Sequence, residues 1–301
     1  MKEISTQNTK ISIVIVTYNA INLIDQCLKS VFDNKTKWDF TVCVVDNGSN
    51  DGTPDHIQQD FPNIDLIRNR NNLGYAHANN QGITHTQSDY VLLLNPDTII
   101  PQNTFQALVD LLESDQGIGI VSPKLVRLNG EMDLACRRMF PDHLDFLLGV
   151  LGVLRKFPKN RILGHYNLTF LDPNETTEVD AVAGAFLLAR RVAIDKVGLL
   201  DETFFMYGED IDWCYRFKLN GWRVIYYPKV VVTHYKGETS KRFSHHVIYH
   251  FYRSNALLYK KYLSKKTPFI INWILYSANW INFSVSYIYN YFLPKDKKRV
   301  A

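Results

Sequence analysis

Cysteine is scarce in this chain, and its few copies are scattered. Among 301 residues there are four, none of them in a C-x-x-C pair: Cys27, Cys43, Cys136 and Cys214. A disulfide-stapled scaffold and a zinc module both depend on closely or regularly spaced cysteines, so this pattern argues against both classes. It is typical of reduced core cysteines in a cytosolic protein.

A strong excess of either charge is also missing. The formal net charge is +4, and basic residues are not interleaved with aromatics that could stack on bases. A nucleic-acid binder needs such a basic surface, so we predict no nucleic-acid partner. Residues 1–10 are polar and have no apolar run, so no secretory signal is expected. Apolar residues make up 46% of the chain, which favours a globular fold over disorder.

Charge is absent altogether from residues 269–293, and lysine-rich segments lie on both sides, at 260–266 and 295–299. About 20 apolar residues suffice to span a bilayer, but the asparagines and serines of this run are costly at the bilayer centre. Its tryptophans and tyrosines are types that favour membrane interfaces. We therefore predict a C-terminal helical extension, 241–301, that lies on the cytoplasmic face of the cell membrane. A hairpin that packs on the catalytic domain or forms a dimer interface is the alternative.

What the chain does contain, from residue 11 onward, is an alternation of strand-like and helix-like patterns. The β-branched run Ile11–Val16 predicts a buried strand, and residues 21–32 have helical spacing. Further strands are predicted at 41–45, 65–68, 90–94 and 118–122, with helices between them. Such alternation is typical of an α/β fold with a mostly parallel sheet flanked by helices. We predict a flexible N-terminus, 1–10, and one catalytic domain, 11–240.

The second half of that domain is less regular. Residues 123–178 give no clear pattern. Val179–Ala189 predicts one buried strand interrupted by Gly184, and two short closing strands are predicted at 224–227 and 230–233.

Polar residues follow three of the predicted strands. Thr17-Tyr18-Asn19 follows the first, Asp46 the second, and Asn95-Pro96-Asp97 the strand at 90–94. Ligands of parallel α/β sheets bind at the carboxyl ends of the strands, so we expect these groups along one rim. The alternative is that they only form turns.

Carboxylates are densest at Glu209, Asp210 and Asp212, between aromatics and a helical pattern. Like charges repel one another and resist burial, so a fold keeps them mainly where a cation, a substrate or a proton transfer uses them. Together with Asp97 and a lone His234 at a later strand end, they predict a metal-assisted active site. The competing interpretation is that Glu209 and Asp212 only favour a helix N-terminus and that His234 is structural.

Six motifs occur in order along residues 11–240: VIVTYN (14–19), VDNGSNDGT (45–53), NLGYAHANNQG (72–82), LLNPD (93–97), GAFLLARR (184–191) and FFMYGEDID (204–212). This series resembles glycosyltransferase family 2, with the GT-A fold, in its rhamnosyltransferase-like branch. The resemblance implies a nucleotide-diphospho-sugar donor, a divalent metal (Mn²⁺ or Mg²⁺) on its diphosphate, and inversion at the anomeric carbon. We also expect a role in cell-surface polysaccharide biosynthesis. The predicted membrane location would bring the active site to a polyprenyl-diphosphate-linked acceptor, which we favour over other saccharide acceptors.

The resemblance also assigns roles to single residues that bind the donor. Four residues fall at the nucleoside: Thr17, Tyr18, Asn19 and Asp46. Three residues of the following loop and helix fall beside the ribose and diphosphate: Asn72, Gly74 and Asn79.

For the chemistry, the resemblance makes Asp97 the last acid of the D-x-D motif, His234 a later metal ligand and Asp210 the catalytic base. The first acid of that motif is Asn95 here, which we count among the donor-binding residues. One anionic ligand fewer leaves strict metal dependence open.

The resemblance favours dTDP-L-rhamnose as the donor. Three other functions are alternatives to this prediction. A family 2 transferase that uses a UDP-sugar shares these motifs and stays open as the alternative. A nucleotidyltransferase normally has a Gly-rich, Lys- or Arg-bearing triphosphate loop near its N-terminus, which residues 14–23 lack. An inactive membrane-bound scaffold has no need to keep Asp97, Asp210 and His234 together.

Overall fold

The computed structural model describes residues 10–150, 160–235 and 244–293. Three sequence-based predictions concern segments outside these ranges: the flexible N-terminus apart from Lys10, the domain boundary near residue 240, and the basic segment at 295–299.

Nine strands occur in the described part of the chain: β1 (Ile11–Thr17), β2 (Phe40–Asp46), β3 (Asp65–Arg68), β4 (Tyr90–Leu94), β5 (Thr98–Ile99), β6 (Ile118–Val126), β7 (Thr177–Val179), β8 (Phe186–Arg190) and β9 (Arg223–His234). The α-helices of the same ranges are α1 (Ile21–Phe32), α2 (Thr53–Asp60), α3 (Tyr75–His85), α4 (Thr104–Ser114), α5 (His143–Val150), α6 (Arg191–Val197), α7 (Glu209–Leu219), α8 (Ser244–Tyr262) and α9 (Phe269–Phe292).

These strands form one sheet in the order β3-β2-β1-β4-β8-β6-β9-β5, and β7 pairs with β9. The half from β3 to β4 is parallel throughout. In the other half, β8 runs antiparallel to both β4 and β6, whereas β6 and β9 are parallel. The predicted α/β class is confirmed. Every strand pair of the first half is parallel, whereas the second half mixes parallel and antiparallel pairs, which hydrophobic patterns did not predict because they reveal burial and not the direction of pairing.

The core lies along the two central strands, β1 and β4, which are buried at every position. Ile13 and Leu92 face each other in register, and both are inaccessible to solvent. Burial of an aliphatic side chain of this size stabilises a fold by about 1.5–3 kcal/mol. A rigid centre of this kind fixes the strand ends on which the polar rim is built.

The two arginines that end the GAFLLARR motif are structural. Arg190 is buried and donates to the carbonyls of Leu112 (2.5 Å) and Ile118 (3.1 Å). Arg191 donates to the carbonyls of Ile83 and Thr86, both at 3.0 Å. Leu112 and Ile83 lie in the last turns of α4 and α3, where cations interact favourably with the unpaired carbonyls. These contacts tie the two helices to the end of β8.

Two strand predictions in the second half need correction. Val179–Ala189 is two strands, β7 and β8, and residues 180–185 form a connection between them, in which Ala181 pairs with Arg138 in an isolated bridge instead of continuing a strand. The two closing strands are one, β9, whose pairing with β6 shifts register after Tyr227, next to Pro228. Proline cannot donate a ladder hydrogen bond, which explains an irregularity rather than an end at this point.

The C-terminal helices α8 and α9 pack against each other as a hairpin, and α8 also contacts the catalytic part of the chain. Within the described residues, neither these helices nor any other is both long and apolar enough to cross a bilayer.

Candidate active site

The first two strands end side by side, and this brings the predicted nucleoside residues together. Thr17 and Asp46 are partners in register. The Thr17 hydroxyl donates to Asp46 Oδ1 (3.1 Å), and the Ser49 amide donates to Oδ2 (3.0 Å). Both oxygens of this buried carboxylate are therefore held in place at the rim.

Asn19 follows in a left-handed backbone conformation (φ +53°), which asparagine tolerates better than most residues. Its side-chain oxygen accepts the Asn50 amide (2.9 Å), and its own amide donates to the Ser49 hydroxyl (2.8 Å). Tyr18 lies half-buried beside it. The loops after β1 and β2 are thus interlocked, and the four residues lie in one place.

The loop before α3 packs against the same rim. Asn47, which the sequence analysis did not single out, donates to Asn72 Oδ1 (2.9 Å) and to the Gly74 carbonyl (3.1 Å). Gly74 has φ +95°, and a Cβ there would lie 2.7 Å from the Phe205 carbonyl oxygen. No other residue fits without movement of the backbone. The loop is therefore clamped between the first strand ends and the segment before α7.

Asn79 and Tyr75 lie in the first turns of α3. Asn79 is buried and donates to the Tyr75 carbonyl (2.8 Å), while its Oδ1 has no hydrogen-bond partner among the described residues. Such an atom needs a ligand or a water to satisfy it. The Tyr75 hydroxyl lies 3.0 Å from Asn95 Oδ1 and 2.9 Å from the Gly184 carbonyl.

The two predicted metal ligands meet because β5 pairs with the end of β9. Asp97 Oδ1 lies 3.2 Å from His234 Nε2, and both side chains are buried. Asp133 Oδ2, which the sequence analysis missed, lies 3.4 Å from His234 Nδ1. Burial lowers the pKa of His234, but the carboxylates of Asp133 and Asp97 outweigh it and raise that pKa to about 9. A divalent cation bound to Nε2 would take the place of that proton.

These residues fit a divalent cation. Ligand atoms on neighbouring vertices of an octahedral site lie about 3 Å apart, close to the Asp97–His234 distance. Asp97 Oδ1 is buried and has no hydrogen bond within the described ranges. One carboxylate and one imidazole suit Mn²⁺ and leave positions for phosphate oxygens and water. Asp133 on the far ring nitrogen is the usual outer partner of a metal-bound histidine.

Two further groups of side chains also come within ligand distance of one another: Asp25, His56 and Asp60, and Asp142, Asp145 and His165. Neither group contains a predicted ligand. Most of their members are partly or fully exposed, so they offer no comparable buried pair.

Asp210 lies in the first turn of α7 and is held by a cation that the sequence analysis did not predict. Asp210 Oδ2 accepts from Arg138 Nη2 (2.7 Å) and from the Gly184 amide (3.1 Å). Arg138 is buried and also donates to the Val182 carbonyl (2.7 Å). Asp210 Oδ1 accepts the Ile211 amide (2.8 Å), and a carboxylate oxygen can accept a second hydrogen bond. That oxygen can therefore still receive a hydroxyl proton.

The other two carboxylates of the cluster have different environments. Glu209 is buried, and burial first, with the charge of Asp210 second, raises its pKa to about 8. Asp212 is fully buried, and it accepts from Arg216 Nε (2.9 Å), Lys261 Nζ (2.5 Å) and the Tyr262 hydroxyl. Asp212 thus joins α7 to α8, and only Asp210 lies against the connection at Gly184.

One continuous series of contacts links the predicted base to the predicted metal ligands. Asp210 accepts the Gly184 amide, and the Gly184 carbonyl lies against the Tyr75 hydroxyl. Tyr75 contacts Asn95, whose amide nitrogen lies 3.5 Å from His234 Nε2. The structure therefore gathers base, ligands and donor loop at one end of the sheet. Which of these residues act in catalysis stays a prediction.

Known proteins share this sequence and fold. The model of the Glycosyl transferase family 2 matches residues 12–194. The chain is 31% identical over 241 residues to the N-acetylglucosaminyl-diphospho-decaprenol L-rhamnosyltransferase of Mycobacterium tuberculosis, which covers 76% of this chain and 77% of that protein. It is 30% identical over 181 residues to the rhamnosyltransferase WbbL of Escherichia coli K12, covering 56% and 64%.

Solved structures share the fold at lower identity. GalNAc-T7 with UDP, GalNAc and Mn²⁺ superposes with a TM-score of 0.60 at 16% identity, and 97% of this chain matches 52% of that one. This chain thus spans about half of the GalNAc-T7 chain. The mannosyltransferase PcManGT of Pyrobaculum calidifontis, with GDP-Man and Mn²⁺, gives 0.54 at 19% identity, covering 97% and 78%. At these identities the likeness shows the GT-A fold alone.

The family resemblance inferred from the six motifs is confirmed by the family match and by the similarity to two rhamnosyltransferases. The fold agrees with it independently of close sequence identity. The chain belongs to glycosyltransferase family 2 and is a glycosyltransferase enzyme.

Proposed function

We propose that the enzyme transfers L-rhamnose from dTDP-L-rhamnose, with inversion, to a lipid-linked saccharide in cell-surface polysaccharide biosynthesis. The observation that carries the sugar and the acceptor class is the similarity, over three quarters of both chains, to a rhamnosyltransferase whose name specifies a diphospho-decaprenol acceptor. The observation that carries the reaction type is the contact series between Asp210 and the Asp97–His234 pair.

Asp210 is the proposed base. Its Oδ1 takes the proton of the acceptor hydroxyl, while the acceptor oxygen forms a bond to the anomeric carbon of the donor. The bond from that carbon to the diphosphate oxygen breaks, and dTDP leaves with the electron pair. An inverting displacement needs one base on the face opposite the leaving group. Arg138 and the Gly184 amide hold Oδ2, so they fix the direction in which Oδ1 points.

The donor is bound by the rim. Thr17, Tyr18, Asn19 and Asp46 hold the nucleoside, and the loop and helix with Asn72, Gly74 and Asn79 lie beside the ribose and diphosphate, in this proposal. Asp97 and His234 would hold Mn²⁺ or Mg²⁺, which would neutralise charge on the departing diphosphate. Asn95 lies beside the Asp97–His234 pair, and its neutral amide adds no negative charge there.

The same proposal covers location. A polyprenyl-diphosphate-linked acceptor is held in the membrane, so the enzyme works at the cytoplasmic membrane surface. In this proposal, residues 11–240 carry out the transfer and residues 241–301 bind the membrane surface.

A donor screen tests the proposal. Release of nucleoside diphosphate is measured for dTDP-L-rhamnose and for UDP- and GDP-sugars, with a lipid extract as acceptor, with and without Mn²⁺. Calorimetry measures binding of dTDP, UDP and GDP in parallel. We expect turnover with dTDP-L-rhamnose and preferential binding of dTDP. Tighter binding of UDP, with turnover of a UDP-sugar, would contradict the proposed donor and leave the family assignment intact.

A further inference from the structure

Several polar side chains of helix α9 face α8, whereas Ser284 is exposed and donates to the Trp280 carbonyl of its own helix. Asn279 donates to the Tyr252 carbonyl of α8 (3.0 Å), and Ser286 Oγ lies 2.9 Å from the Tyr252 hydroxyl. Asn272 Oδ1 accepts the Tyr259 hydroxyl (2.7 Å). Farther along, Asn290 is 2% exposed. The asparagines that the sequence analysis counted as costly for a membrane are therefore partnered or buried within the hairpin.

The outer side of α9 is correspondingly apolar. We define its outward face by six exposed residues: Ile270, Ile274, Ile281, Val285, Ile288 and Phe292. They recur at spacings of three, four and seven, which places them on one side of a helix. The stripe is about 33 Å long at 1.5 Å per residue. A water-soluble surface helix normally has the reverse arrangement, with apolar residues facing the core.

The surroundings of the outward face match a bilayer interface in chemistry. Trp273, Trp280 and Tyr287 are exposed on the same helix, and these residue types favour the headgroup level. The groove between α8 and α9 is lined in part by Arg253 and Lys260, beside Trp280. Cationic groups and amphipathic aromatics thus lie side by side where anionic headgroups would sit.

Charge distinguishes a lipid surface from a second copy of the chain. Lys260, Lys265 and Lys266 are exposed around the turn that leads into α9, and the sequence is basic again at 295–299. Lysine is depleted from protein–protein interfaces. Positive charge at both ends would bring like charges together in either orientation of two paired helices. Each Lys or Arg near an anionic leaflet instead contributes about 1 kcal/mol of attraction.

We propose that the outward face of α9 is a lipid-binding surface, and that the helix lies parallel to the plane of an anionic leaflet at the headgroup boundary. This inference rests on the proposed function in one respect: a lipid-linked acceptor explains why the enzyme would need a membrane-binding surface. Its partner is the phospholipid bilayer itself.

The hairpin places this surface next to the active site. On α8, the Ser254 hydroxyl donates to the Met206 carbonyl (2.9 Å), and His250 stacks on Phe205 with ring centroids 4.3 Å apart. The Phe205 carbonyl accepts the amide of Tyr75, in the contact series described above. Contacts of α8 therefore link the membrane-binding helix α9 to the segment that borders the donor loop. A lipid-linked acceptor would need to reach only from the leaflet to that border.

Vesicle flotation of the full-length protein tests the proposal. The test variant is Ile281→Gln/Val285→Gln/Ile288→Gln, at positions 61%, 60% and 57% exposed. The matched control is Leu128→Gln/Val192→Gln/Leu219→Gln, at positions 66%, 61% and 67% exposed on the catalytic part. Vesicles contain either phosphatidylcholine alone or added phosphatidylglycerol, at low and high salt. Thermal melting verifies that both variants fold.

We expect wild type and control to float with the anionic vesicles, and more strongly at low salt. The affinity of the test variant for these vesicles should be lower by roughly tenfold or more. Equal flotation of the test variant, or failure of wild type to float, would overturn the proposal. So would a wild-type dimer, seen by light scattering without lipid, that the test variant alone dissociates. Binding of dTDP is measured by calorimetry on the same samples. If the wild type does not bind dTDP, that result counts against the proposed donor and not against the lipid-binding surface.

Discussion

The rim of the sheet and the C-terminal hairpin place their polar groups in opposite ways. At the rim, aliphatic strands are buried, and the polar groups that follow them gather at the strand ends, where Asp46, Asp97 and His234 lie. In α9, Asn272, Asn279 and Ser286 contact α8, and a stripe of aliphatic side chains is exposed. At the rim, Asn79 Oδ1 and Asp97 Oδ1 are buried without a hydrogen-bond partner among the described residues, whereas Asn272 and Asn279 of α9 have partners on α8. This difference is what the two proposals require: a charged ligand bound at the rim, and an apolar medium against the outward face of α9.

The largest effect is expected from the base. Asp210→Asn keeps the volume and the contact with Arg138 but cannot accept a proton, so turnover should fall by roughly 10²–10⁴-fold. Binding of dTDP should not change, because the donor residues lie elsewhere on the rim. Steady-state kinetics and calorimetry measure the two quantities. Asp195→Asn, at an exposed acid of α6, is the matched control. If Asp210→Asn turns over near the wild-type rate, another residue must be the base.

The next effect concerns the metal pair. His234→Ala removes one of the two proposed protein ligands, so Mn²⁺-dependent binding of dTDP should weaken by roughly 10–100-fold. The control is His56→Ala, because His56 lies in the partly exposed group with Asp25 and Asp60, away from the proposed metal ligands. Calorimetry with and without Mn²⁺ separates metal-dependent from metal-independent binding. A loss in the His56 variant and none in the His234 variant would relocate the cation.

The junction between the two regions is expected to respond less. Asp212→Asn removes the charge that Arg216, Lys261 and Tyr262 share, which should lower the free energy of unfolding by roughly 1–3 kcal/mol. Lys261 keeps its contact with Asp201 (2.6 Å), so the loss is partial. Denaturant titration against the Asp195→Asn control measures it. An unchanged midpoint would mean that the hairpin does not depend on this carboxylate.

The fourth expected effect is a dependence of stability on pH at Glu209. Burial, and then the charge of Asp210, raise its pKa to about 8, above its value in the unfolded chain. The folded protein therefore binds the proton more tightly, and its stability falls as pH rises from about 4.5 to 8. The slope is at most about 1.4 kcal/mol per pH unit. Melting curves of Glu209→Gln should lose this part of the decline. Identical slopes in both proteins would show that Glu209 ionises freely.

Local sequence patterns predicted one half of this molecule better than the other. The bounds of α1, β3 and β4 agree with the residues predicted, because a continuous apolar run or a helical spacing determines burial locally. The strand-end positions of Asp46 and Asp97 followed from the same patterns. The antiparallel direction of β8 did not, because pairing depends on residues distant in sequence.

The missed residues have the same cause. Arg138 and Asp133 lie in the stretch for which no pattern was found, and tertiary contacts bring them to Asp210 and His234. The available signal was the pair Arg137-Arg138 between the apolar residues Cys136 and Met139. The polarity of α9 was also out of reach, since its composition did not reveal that Asn279 faces α8 and Ile281 faces outward.

The most direct test of the central claim, one base acting opposite a leaving diphosphate, is the anomeric configuration of the product. The full-length enzyme is supplied with dTDP-L-rhamnose, Mn²⁺ and a polyprenyl-diphosphate-linked N-acetylglucosamine acceptor in anionic vesicles. The isolated product is then examined by NMR. We predict an α-linked rhamnosyl product, inverted relative to the donor, formed by wild type and nearly abolished in Asp210→Asn. A product that retains the donor configuration would contradict the mechanism.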